Sequence, residues 1–166
     1  MRNSWHVATA AEAIAAAQFA RCGWDVSVQY GANQPEYDLL AARDDQILKI
    51  SVKGSKDGAW GLTQSYLENA DYHQAVNLWL ARHSGKVVFC LVQFADVALD
   101  QMPRIYLATP QEIGNWLKLA AAGRGSTTLH EYHKWSARAK AAGTVDQIPS
   151  FWVFTESRLS ELARGL

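Results

Sequence analysis

Residues 37–54 read YDLLAARDDQILKISVKG. Two apolar runs flank the pair Asp44-Asp45, and so short a connection joins neighbouring strands as an antiparallel hairpin. Side chains on a strand alternate faces, so Leu48, Ile50 and Val52 share one face while Lys49, Ser51 and Lys53 share the other. The first set is wholly apolar and belongs to a core. The second is polar throughout, as a solvated face would be. Asp38 lies at the start of the first strand and Lys53 near the end of the second. The hairpin therefore brings a carboxylate and an ammonium to the same end of a sheet.

Upstream, residues 5–22 carry apolar or alanine positions nearly all round and stop at Gly23, which predicts a buried helix. Glu12 is its one carboxylate. Burying a glutamate without a partner is costly, so its presence there wants a reason. The stretch lacks a charged leader followed by an apolar block and reads as a helix rather than a signal peptide. WDVSVQY (24–30) alternates as a half-buried strand, and GANQPE (31–36) is turn chemistry.

Downstream, residues 55–69 hold two glycines and two aromatics and predict a loop. Trp60 and Tyr66 in it suit either stacking on bases or plugging a core edge. Residues 70–85 predict a helix stopped by Gly85. KVVFCLVQFA (86–95) is a nearly continuous apolar run, as expected of a central strand covered on both faces. A strand over 104–110 and a helix over 111–123 follow, whereas TTLHEYHKW (127–135) fits neither pattern. Thr155 suits the N-cap of a terminal helix. This order implies an α/β fold, one mixed β-sheet flanked by helices on both faces, as a single domain over residues 1–166.

A chain of 166 residues, 49% hydrophobic and 19% charged, has the composition of one ordinary globular domain. No apolar run approaches the ~20 residues of a membrane span, so no membrane partner is expected. Cys22 and Cys90 fit no metal spacing and no disulfide framework, which predicts free buried thiols and a cytoplasmic location. His73, His83, His130 and His133 have no zinc-ligand spacing. No glycine-rich phosphate loop or nucleophile elbow is present. The net charge of zero argues against coating nucleic acid by charge alone. The charge is nevertheless uneven: residues 1–100 hold 8 Lys and Arg against 11 Asp and Glu, and residues 101–166 hold 8 against 5. The basic stretch from Arg104 to Lys140 is expected to form one wall of a groove leading to the hairpin end.

A helix with one Glu, a strand, a turn, YDLL, a hairpin, and VK followed by small residues together resemble the PD-(D/E)xK nuclease superfamily. The likeness is in particular to its Holliday-junction-resolvase-like and small bacterial members. It covers about residues 5–95, that superfamily's helix–three-strand–helix–strand core, and leaves about 104–166 as a C-terminal extension. The resemblance implies a restriction-endonuclease-like fold and hydrolysis of phosphodiesters in nucleic acid, DNA in preference to RNA. In that family a helix Glu, a strand Asp and an acidic or Gln residue two before a Lys bind Mg²⁺, with Mn²⁺ as a substitute. Carried over by position, Glu12 and Asp38 are the implied metal ligands, and Asp38, Lys53 and Glu12 the implied catalytic residues. Ser51 stands at the motif's remaining position and is the departure. A neutral hydroxyl is a poor ligand for a hard cation, so either the site is weakened or another acid such as Glu36 or Glu68 has moved in. Ser51→Glu is then expected to restore a ligand without harm to the fold. The alternative is a non-catalytic module of the same fold that binds nucleic acid or a protein partner, or forms a homodimer.

Overall fold

The computed structural model describes residues 3–29, 36–83 and 86–165. Among these it is mixed α/β, with one five-stranded mixed sheet and four α-helices. Helix α1 (Ser4–Arg21) starts at Asn3, whose side chain accepts the His6 amide at 2.9 Å, and stops before Gly23 at φ +78°. Strands β1 (Asp25–Val28), β2 (Leu39–Arg43) and β3 (Gln46–Ser55) then form an antiparallel meander. Asp44 and Asp45 connect Arg43 to its partner Gln46, and Asp44 adopts φ +52°, a conformation Asp tolerates better than most residues. Tyr30, residues 31–35 of the expected turn at 31–36 and the expected stop at Gly85 lie outside the described residues.

Helix α2 (Tyr72–Arg82) leads to β5 (Val87–Gln93), which lies parallel to β3 and antiparallel to β6 (Arg104–Ala108). All of β5 is buried, which its unbroken apolar run requires. Helix α3 (Pro110–Leu119) opens with a capping box between Thr109 and Glu112. Helix α4 (Glu156–Gly165) is capped by Thr155, whose hydroxyl accepts the Arg158 amide at 3.1 Å.

The sheet order β1-β2-β3-β5-β6 leaves two faces, and helices cover both. On one, Ala11, Ala15 and Phe19 of α1 and Leu159 and Leu162 of α4 pack on Leu48, Ile50, Val52, Val88 and Cys90. On the other, Val76, Trp79, Ile113 and Leu117 of α2 and α3 pack on Val87, Phe89 and Leu91. No helix among the described residues is long and apolar enough to cross a membrane. Cys90 is a buried free thiol, whereas Cys22 is free but only half-buried; burial pushes both thiols up.

The segment 55–69 departs from the loop its composition predicts. It contains β4 (Ala59–Gly61), paired antiparallel with β7 (Thr128–His130), and a 3-10 turn at Gln64–Tyr66. A further small ribbon pairs β8 (Tyr132–Lys134) with β9 (Val145–Gln147). Three-residue strands are too short to show alternation, and β4 gains its partner from a distant part of the chain.

Candidate functional site

Helix α1 approaches β3 closely at Gly54, and the reason is the size of the facing residues. Ala11 and Ala15 are completely buried against the sheet. A Cβ added at Gly54 would lie 2.9 Å from Ala11 Cβ and from the Val7 carbonyl oxygen. Gly54 and the alanines thus set how near the helix comes, and Glu12 is carried to the strand end with them. A cavity of ≈ 280 Å³ opens there, lined among others by Ser4, Glu12, Asp38, Lys53 and Trp60.

Asp38 stands one residue before β2, where regular pairing with β3 stops. Its amide donates to the Ile50 carbonyl at 2.8 Å, and its Oδ2 accepts the Val52 amide at 2.6 Å. The carboxylate thereby supplies an acceptor to the β3 backbone, and Asp38 is at the same time one of the cavity's lining residues. Lys53 is exposed at its side chain but fixed at its backbone. Trp60 Nε1 donates to the Lys53 carbonyl at 3.0 Å, while the indole is buried edge-on to Tyr106, with ring centroids 6.2 Å apart. Trp60 is a core residue, as one of the two sequence readings has it, and it also steadies the lysine. In the sequence Trp60 stands out only as a base-stacking or core aromatic, and Gly54 does not stand out as a site residue. The only signal for Gly54 is its position directly after Lys53.

The cavity's electrostatics are coupled. Glu12 is half-buried, and its carboxyl is raised above the usual range by burial, then by the negative charge of Asp38; Lys53 pulls the other way. A divalent cation bound beside Glu12 would offset the negative charge of Asp38 that opposes its ionisation. Mg²⁺ commonly binds through one or two carboxylates and completes its shell with water and substrate phosphate. Among the described residues, no group of three or more His, Cys, Asp or Glu side chains gathers at metal-binding range.

Ser51 is not one of the lining residues. It is 3% exposed and pairs with Phe89 inside the sheet. The Ser51→Glu exchange expected to suit the fold would instead bury a carboxylate in the sheet interior, at a cost of several kcal/mol unless it stayed protonated (~2–7 kcal/mol even for an unpaired neutral polar group). Glu36 and Glu68 are exposed, and neither lines the cavity. Lys49, on the same strand face, sets its Nζ 5.4 Å from the centre of the Tyr37 ring.

The basic stretch from Arg104 to Lys140 does not form one wall. Arg104 is held by Glu131, at 2.7 Å, beside a separate cavity, and Arg124, Arg138 and Lys140 line another. These cations lie on several elements whose turns send them to different surfaces, which a linear count of charge does not register. Comparison with protein-family models, with curated proteins and with solved structures finds no match to this chain.

Proposed function

We propose that the chain is a metal-dependent nuclease-like protein of the restriction-endonuclease-like fold, acting on phosphodiesters of DNA or RNA. The observation that carries this reading is the meeting of Glu12, Asp38 and Lys53 around one cavity. The order of α1, a three-stranded meander, α2 and the parallel β5 supports it, because the resemblance implies that same core. So does the cavity's place at the carboxyl end of β3, where open α/β sheets bind ligands.

Glu12 and Asp38 would hold Mg²⁺ or Mn²⁺. Such a cation, when bound, supplies Lewis-acid polarisation of a phosphoryl oxygen and a more acidic water. Lys53 donates hydrogen bonds to a non-bridging phosphate oxygen and stabilises the charge that builds on it. Trp60 keeps the lysine backbone in place while this happens, so only the side chain has to be ordered.

Ser51 favours a second reading, a non-catalytic module of the same fold that binds nucleic acid or a protein partner, because the site then lacks a third carboxylate. Calorimetry with Mn²⁺, run beside a cleavage assay on DNA and RNA, separates the two. Asp38→Asn keeps an acceptor for the Val52 amide but loses the charge, so the fold is expected to hold while Mn²⁺ affinity falls by about tenfold or more. Asp38→Ala loses both, and stability in urea should drop by a further ~1–3 kcal/mol. A wild-type chain that neither binds Mn²⁺ nor cleaves leaves the interaction module as the reading.

A further inference from the structure

A second cavity, of ≈ 580 Å³, lies between the start of α2, the turn after α3 and the segment between β8 and β9. Tyr72, His73, Arg124, Arg138 and Lys140 line it, and it shares no described lining residue with the Glu12 cavity. Three cations border one space, and among the described residues none of them forms an ion pair. Arg104 and Arg158 elsewhere are both paired with glutamates. Asp71 also borders the cavity, but its Oδ1 is engaged as the cap of α2, accepting the Gln74 amide at 2.9 Å. The single charge of Asp71 does not balance three cations, so an excess of positive charge remains, and an anion among them relieves its repulsion.

Arg124 is positioned by ring faces rather than by a carboxylate. Its guanidinium carbon lies 4.9 Å from the Tyr72 ring centre and 5.3 Å from that of Trp135. Stacking of this kind leaves the in-plane N–H groups of a guanidinium available to an acceptor. The turn that carries it is held in several ways. Ala121, Ala122, Gly123 and Gly125 all have positive φ, and a Cβ at Gly125 would come within 2.9 Å of Tyr72 Cβ. His73 Nε2 donates to the Gly123 carbonyl at 3.0 Å, and the buried Asp146 accepts the Ala121 amide at 2.9 Å. Lys140 is itself left-handed at φ +55°. Non-glycine residues in that conformation cost energy and collect at ligand clamps when the surroundings over-determine them.

We infer that this cavity is a phosphate-binding site for a multiply charged phosphate group, carried by a free nucleotide or by the 5′ end of a strand. The planar fork of Arg124 suits two phosphate oxygens at once, and Arg138 and Lys140 supply the charge to match a group of −2 or more. The site stands whether or not the Glu12 cavity hydrolyses anything, so its test is a binding measurement.

Calorimetry on the full chain, with pyrophosphate, ADP, a 5′-phosphorylated oligodeoxynucleotide and its 5′-hydroxyl counterpart, tests it. Pyrophosphate is expected to bind, and Arg124→Ala to weaken that binding by about tenfold or more, the loss of a charge-assisted hydrogen bond. Arg124→Lys, which keeps charge without the planar fork, should fall between. Preference for the 5′-phosphorylated strand assigns the site to a strand end; ADP binding without that preference assigns it to a free nucleotide. If circular dichroism shows that Arg124→Ala does not fold, the exposed pair Arg138→Glu and Lys140→Glu must produce the same loss. Absence of binding by every probe at millimolar concentration, or pyrophosphate binding unchanged in these variants, overturns the assignment.

Discussion

The surroundings of Glu12 oppose its charge, through burial and then through Asp38. Its folded-state pKa lies above the ordinary carboxylate value, so the folded chain holds that proton more tightly than the unfolded chain does. The associated stability is fully present below the unfolded value and is lost as pH rises through the folded one. Glu12→Gln is therefore expected to leave stability unchanged in acid and to raise it at neutral pH, read from urea melts at the two conditions. A cation needs the deprotonated carboxylate, so Mn²⁺ affinity should rise with pH over the same window, and the glutamine variant should lose that dependence. A glutamine variant less stable at neutral pH would mean that the carboxylate is held by favourable contacts, against the site. Of the four residues the sequence picks out, Asp38 and Lys53 share the cavity because alternation and hairpin pairing fix where a strand's ends lie, and Glu12 joins them through the close packing of α1 on Gly54. Ser51 belongs with them by spacing alone. Alternation gives it the right face, but burial beside Phe89 depends on the packing of α2 and α3, which spacing does not encode.

At the scale of elements, the contact between α1 and β3 decides where the carboxylate goes. Gly54→Ala is expected to cost ~1–3 kcal/mol, because the new methyl meets the Val7 carbonyl as well as two side chains. The shift of α1 that relieves the clash should also weaken Mn²⁺ binding, which distinguishes it from a purely structural loss. Thermal melts and calorimetry on the same sample read both effects, and unchanged binding with lowered stability would separate Gly54 from the site. The long elements were legible. The meander shows its period of two, β5 shows a run that only a doubly covered strand tolerates, and α1 shows alanine with a glycine stop. The β4–β7 and β8–β9 pairs were not, because three residues carry no period, and β4 meets its partner only by tertiary contact. The same limit hid the split of the basic stretch, whose cations follow turns rather than one face.

Across the whole molecule, the two helical layers are joined through Arg158. It is 4% exposed, meets both Glu112 carboxylate oxygens at 2.7 Å and Glu161 at 3.0 Å, and donates to the Leu107 carbonyl at 3.3 Å. One guanidinium thus ties α4 to the start of α3 and to β6. Removing one partner of a buried pair strands the others, and Arg158→Met is expected to cost about 3 kcal/mol in a denaturant melt, the low end because Glu112 is partly exposed. A loss below ~1 kcal/mol would show that the pair only offsets its own desolvation. Helices α1 and α4 complete the same side of the sheet: Phe19 packs edge-on to Phe154, with ring centroids 5.1 Å apart, and Gln46 at the hairpin reaches the Ala163 carbonyl at 3.2 Å. A chain leaving the ribosome makes α1 and the meander first and α4 after every other described element. The apolar face of the nascent sheet therefore stays unfinished until synthesis has passed residue 162, and a chaperone holding that face would be displaced by α4.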